Sequence, residues 1–372
     1  MSERSDVGNA AVSEEREMLV GAVSQLMGDL CTPEDVRGAE RTGWAPSLWA
    51  ALCESGFAAV GVAEAAGGSG GDVADACALL EVAGAYAAPV PLAETGMLGG
   101  WALASAGLRL PAGAVTVAPG HRDDEVRLER RSGTWRLRCR IHRVPWASES
   151  EVVVVLARLD GRPDGPLHVV ALPRGSFETQ AGHNLAGEPR EVVTFDGSVG
   201  AESVAAAPEG LDEQAMSLRG ALSRCALLCG AMSRISTLTG RYTHERQQFG
   251  RPIARFQAVQ HHLVRIAEQT QAARTATTAA AHNSVARLDL FDIAAAKTVA
   301  GDAAVIVAAA AHQAHGAMGM TREYELAQLT RRLWSWRDEY RNEAYWSRLL
   351  GQQVIAQGAD ALWPRISTGR VA

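Results

Sequence analysis

The residues best suited to chemistry lie between Arg241 and Gln260. Arg246, Gln248, Phe249, Arg251, Arg255 and Gln257 bring three guanidiniums, two amides and an aromatic ring into one short stretch. Guanidiniums grip phosphate oxygens in pairs, so this group suits a pyrophosphate or another anion. The same arginines also suit plain helix-end chemistry, because cations favour a helix C-terminus and Gly-x-Pro is ordinary punctuation. The residues alone leave both readings open.

A second stretch, Ala308 to Leu326, ends an apolar run with His-Gly-Ala-Met-Gly. Glycine there lets backbone approach a ligand closely, although a simple C-cap and turn accounts for it as readily. His312 and His315 have no third group in sequence reach to orient them, so they read as capping or packing residues. The six cysteines (Cys31, Cys53, Cys77, Cys139, Cys225, Cys229) show no paired ligand spacing with histidine. They read as small buried hydrophobes in a reducing compartment, and no metal is expected. Gly67 to Gly71 lacks the Lys and Ser/Thr of a P-loop and reads as a connector.

The elements that must position these residues fall into three groups, giving an α+β chain. Helical periodicity covers Val12–Leu30, Pro46–Ser55, Val73–Ala87 and Leu98–Ala106. From about Pro111 the period changes to roughly six short β segments, among them Thr134–Ile141, Glu151–Leu156 and Leu167–Leu172, expected to form a barrel-like module. Long alanine-rich helices follow over Glu213–Glu245, Phe256–Ala286, Phe291–His312 and Tyr324–Gln357, a pattern expected to build a four-helix bundle. The expected domains are 1–110, 111–208 and 209–372, since 372 residues exceed one compact core. A net charge of −6 argues against nucleic acid as a partner. A polar opening from Met1 to Arg16, with no apolar run long enough to span a bilayer, leads us to expect a cytoplasmic protein with no membrane partner.

Tyr242, Glu245–Gly250, Pro252–Ile253 and Phe256–Val259 resemble the signature of the acyl-CoA dehydrogenase family, and the three-part order resembles that family from end to end. The resemblance implies that Arg246, Gln248, Phe249 and Gln257 hold the pyrophosphate and adenosine end of an FAD whose flavin lies in a neighbouring subunit. It implies that Gln313, Gly316, Ala317 and Gly319 form a turn packed on the same dinucleotide. It further implies an acyl-CoA substrate and an electron-transferring flavoprotein as acceptor.

Two departures stand beside it. The family's glutamate base recurs at two placements, which fall here on Tyr340-Arg341 and near Gly220; Glu339, one residue off, is the candidate base. Where the family keeps its flavin-ring contacts, this chain has Val115–Asp124 and His142–Ala147. A chain that keeps the grip and loses the ring bed resembles the lesser partner of actinobacterial α2β2 acyl-CoA dehydrogenases, which act on bulky thioesters such as steroid side chains. The expectation is therefore a second family subunit as partner. The alternatives are a homotetramer using Glu339 and a flavin-free scaffold.

Overall fold

A computed structural model describes the backbone of residues 3–368 and the side chains of 14–367. The N-terminal part is helical: α1 (Glu3–Leu30), α2 (Pro33–Thr42), α3 (Pro46–Glu54), α4 (Val73–Ala85) and α5 (Gly100–Ser105), the last preceded by a π-helical turn over Ala93–Gly99. Sequence periodicity misses α2, whose buried residues are only Val36 and Ala39, too few to show a stripe. Its start is nevertheless written locally, because Thr32 and Asp35 form a reciprocal capping box and Pro33 opens the first turn.

The middle of the chain holds eight strands among the described residues, where about six were expected. They are β1 (Val115–Val117), β2 (Glu125–Arg131), β3 (Thr134–Pro145), β4 (Val152–Arg158), β5 (Leu167–Pro173), β6 (Glu178–Gln180), β7 (Arg190–Val199) and β8 (Val204–Ala206). The additional β6 and β8 are three-residue edge strands with too few positions for a visible alternation. One sheet runs β1-β4-β5-β8 and the other β2-β3-β7-β6. Leu137, Ile141, Val153, Val155, Val170 and Val193 share a buried core between them. A bulge in β3 between Ile141 and Val144 shifts the register against β7.

The C-terminal part begins with α6 (Glu213–Glu245), followed by a short hairpin of β9 (Gln247–Gln248) and β10 (Arg251–Pro252). Next come α7 (Gln257–Asn283), α8 (Leu290–His315), α9 (Glu325–Asp338), α10 (Glu343–Gln357) and α11 (Leu362–Thr368). The single helix expected over Tyr324–Gln357 is two. Lys297 Nζ donates to the carbonyls of Arg337 (2.6 Å) and Trp336 (3.4 Å), which satisfies the end of α9. Asn342 then caps α10. The expectation that no segment could span a bilayer also needs correction. The segment Leu290–Met320 is long and apolar enough by composition, but 61% of its apolar window is buried, and it is a core helix of the bundle.

All six cysteines are free, and five are buried. Burial pushes the Cys31 thiol up to about 12, which leaves it an inert hydrophobe.

Candidate functional site

A local backbone distortion sits at the arginine corner. Gln248 and Arg251 pair across the β9–β10 hairpin, so Phe249 and Gly250 form its two-residue turn, with φ of 52° and 74°. Such turns favour Asn-Gly, and a phenylalanine in the left-handed region costs energy. Its ring stands 90% exposed at the tip, edge-on to Phe256 at 6.0 Å, while the Arg251 guanidinium covers Phe256 at 4.3 Å. Phe249 is thus both strained and exposed at the tip of the hairpin.

Arg246, Gln248 and Gln257 are exposed around this tip. Gln257 opens α7, and no side chain caps that helix start, so its first amides add a favourable pole for an anion. Replacing Phe249 by asparagine, which restores the preferred turn pair, is expected to stabilise the isolated chain by about 0.5–1 kcal/mol while weakening dinucleotide retention. Thermal melting of the isolated chain and flavin content of the chain assembled with its partner check the two halves.

Tyr242 joins this corner to the end of α8. Its ring stacks on His315 at 4.4 Å and its hydroxyl donates to the His315 carbonyl at 3.3 Å. Gln313, Gly316 and Ala317 are exposed at that end. Gly316 has φ 60° and ψ −140°, a glycine conformation, with open space where a Cβ would point. Gly319 differs from its neighbours: it is buried, and a Cβ there would meet the Cβ of His315 at 2.9 Å and Leu326 at 3.1 Å. Internal packing therefore already requires that glycine. Burial holds His315 and His312 below the usual histidine range, which keeps both rings neutral packing groups.

The turn between α9 and α10 carries the candidate base. Glu339 faces inward between two guanidiniums. Arg224 Nε lies 2.6 Å from one carboxylate oxygen, and Arg190 Nη2 lies 2.7 Å from the other. Arg224 also pairs with Glu94 at 2.6 Å, and Arg190 with Glu188 at 3.0 Å. Arg332 approaches Glu188 at 3.3 Å, and Trp336 Nε1 donates to the same carboxylate at 3.1 Å. Three acids and three arginines thus balance inside the protein, drawn from the π-helical turn, the β domain, α6 and α9. In sequence, the neighbouring Arg337, Asp338 and Arg341 suggest a surface cluster; Glu339 instead belongs to this inner network.

Burial favours the neutral form of Glu339, but Arg190 and Arg224 outweigh it and bring its pKa down from 4.5 to about 2. A carboxylate held so low is a weak base for a carbon acid. Because the folded value is depressed, the stabilisation is present above the unfolded pKa and is lost as pH falls from about 4.5 through about 2. The difference in unfolding free energy between wild type and Glu339→Gln should shrink by about 3 kcal/mol across that window, as read from denaturant melts at a series of pH values.

The two base placements meet in space. A Cβ at Gly220 would stand 2.2 Å from Cδ1 of Tyr340, so the tyrosine ring already occupies the space a side chain at 220 would need. Tyr340 has φ 52°, its carbonyl accepts from Trp346 Nε1 at 2.9 Å, and the Arg224 guanidinium lies 5.3 Å from its ring. The gap left beside Glu94, Trp146, Arg190 and Arg224 measures only about 10 Å³, no more than one water. Gly220→Ala should destabilise by about 1–3 kcal/mol, and adding Tyr340→Ala should relieve the clash. A double-mutant cycle on melting curves checks the coupling.

Sequence reading does not find Glu94, Glu188, Arg190, Arg224 and Arg332. The available signal is charge inside apolar runs, as with Arg224 between Leu222 and Cys225, because such charges are rarely buried without partners.

Comparison with known proteins gives two domain matches. Residues 13–108 match "Acyl-CoA dehydrogenase, N-terminal domain" and residues 214–336 match "Acyl-CoA dehydrogenase, C-terminal domain", together more than half of the chain. Acyl-CoA dehydrogenase IpdE2 of Mycolicibacterium smegmatis is 29% identical over 318 residues, 85% of this chain and 91% of its own. The fold matches a chain in the ChsE4–ChsE5 complex from Mycobacterium tuberculosis (TM-score 0.83, 23% identity, 91% of this chain, 97% of that one). Butyryl-CoA dehydrogenase from Megasphaera elsdenii fits equally well (TM-score 0.83, 19% identity, 91% and 98%).

Proposed function

The chain belongs to the acyl-CoA dehydrogenase family, and on that premise we propose that it is the subunit without the base in a hetero-oligomer that introduces an α,β double bond into an acyl-CoA. The observation that carries this reading is the closed network around Glu339. The position where a base would face substrate is filled by balanced ion pairs and by the Tyr340 ring.

The residues fit one end of FAD. Exposed Arg246, Gln248 and Gln257, the strained Phe249 turn and the uncapped start of α7 suit a pyrophosphate and adenosine; Gln313, Gly316 and Ala317 offer an open edge beside them. The segments His121–Asp124 and His142–Ala147 do not offer the family's ring contacts. A bound FAD would supply a hydride acceptor for the acyl β-carbon. Arg246 would neutralise the diphosphate, Phe249 would cover the adenosine and exclude water, and Tyr242 would hold the two cofactor segments in register. The proton from the α-carbon goes to a carboxylate on the partner subunit. That partner is a second family member, the acceptor is an electron-transferring flavoprotein, and the compartment is the cytoplasm. The ChsE4–ChsE5 complex, named for two different chains, supports the paired arrangement.

The test is to purify the chain alone and together with a second family chain that retains a glutamate and ring contacts. Flavin absorbance and acyl-CoA oxidation are expected only in the pair. A flavin-loaded, active homo-oligomer would remove the proposal, and a pair that stays colourless would favour a flavin-free scaffold.

A further inference from the structure

We propose that His121, Asp124 and His142 form a site for a divalent cation of the zinc type. One ligand atom from each lies within 4.8 Å of the other two, and all three residues are half-buried. The chain brings them together through two irregularities. The link from β1 to β2 carries His121 and Asp124, and the bulge in β3 carries His142, followed by Arg143 at φ 59°. Bulges often re-aim a side chain toward a site.

Asp124 is fixed before any cation arrives. One carboxylate oxygen accepts the His121 amide at 2.7 Å and the other accepts the His142 amide at 2.8 Å. Orientation of a ligating carboxylate by such outer hydrogen bonds is a usual feature of metal sites. His142 Nδ1 stands 3.2 Å from Asp124 Oδ1. That distance serves a direct hydrogen bond, and it also matches the edge of a tetrahedral zinc site, where two ligands at about 2.0 Å from the ion stand about 3.3 Å apart. The His121 ring faces the His142 ring, centroids 5.8 Å apart. Its Nδ1 lies 3.5 Å from the Asp123 carboxylate, and the tautomer with the proton on Nδ1, facing that carboxylate, leaves the Nε2 lone pair for a metal. Two imidazoles and one carboxylate suit zinc and neighbouring metals, with a fourth position left to water. The absence of cysteine–histidine spacing says nothing of this set, because its ligands are histidine and aspartate. The inference stands apart from the flavin reading: the cation would staple the β1–β2 link to the β3 bulge whether or not the chain grips a dinucleotide.

Isothermal titration of Zn²⁺ into the chelator-treated full chain tests it. We expect one ion per chain at micromolar Kd or tighter, an upward shift in melting temperature, and a tetrahedral visible spectrum when Co²⁺ replaces zinc. His121→Ala should weaken binding at least tenfold, and His142→Ala likewise. The double variant His261→Ala with His262→Ala, adjacent on α7, should bind as the parent does. A titration without stoichiometric binding, or undiminished affinity in His121→Ala, would overturn the proposal.

Discussion

Arg246→Ala is expected to strip flavin from the assembled enzyme. Arg246 is exposed at the end of α6, so the unloaded chain should lose almost no stability from the change. A guanidinium bonded to a diphosphate contributes about 2–3 kcal/mol, which corresponds to roughly a hundredfold weaker flavin binding. Fluorescence titration of the resolved complex with FAD measures it. The same substitution should leave the melting temperature of the isolated chain unchanged, which separates a binding role from a structural one.

How much of this is written in the sequence depends on how local each feature is. The arginine corner is legible because Arg246 to Gln257 is one continuous stretch with a helix stop inside it. Tyr242 and the Gly316 turn are legible as segments, although their union through His315 is a tertiary fact. The split between α9 and α10 is not visible, since it depends on Lys297 reaching two carbonyls about forty positions away. Gly319 reads as a cofactor contact beside its neighbours, yet its packing against His315 and Leu326 can only be seen in three dimensions. The charge network is hidden for the same reason: Arg224 finds Glu94 and Glu339 at separations of 130 and 115 residues.

That network gives the other large effect. Glu339→Gln removes the charge that balances Arg190 and Arg224, leaving three buried guanidiniums, Arg190, Arg224 and Arg332, to Glu94 and Glu188. Breaking a buried ion pair from one side costs about 3–5 kcal/mol, because the remaining charge stays desolvated. A melting temperature lowered by several degrees or more is the expected result. Arg224→Met alone should be as damaging, since it strands the buried Glu94 and leaves Glu339 to Arg190 alone.

The two roles of Glu339 separate in one experiment. The assembled hetero-oligomer is prepared with Glu339→Gln in this chain, matched to wild type in flavin content, and assayed well below its melting temperature. Our account predicts turnover within about twofold of wild type alongside the lowered stability. A loss of turnover of roughly a thousandfold or more, with substrate binding retained, would make Glu339 the base and contradict it.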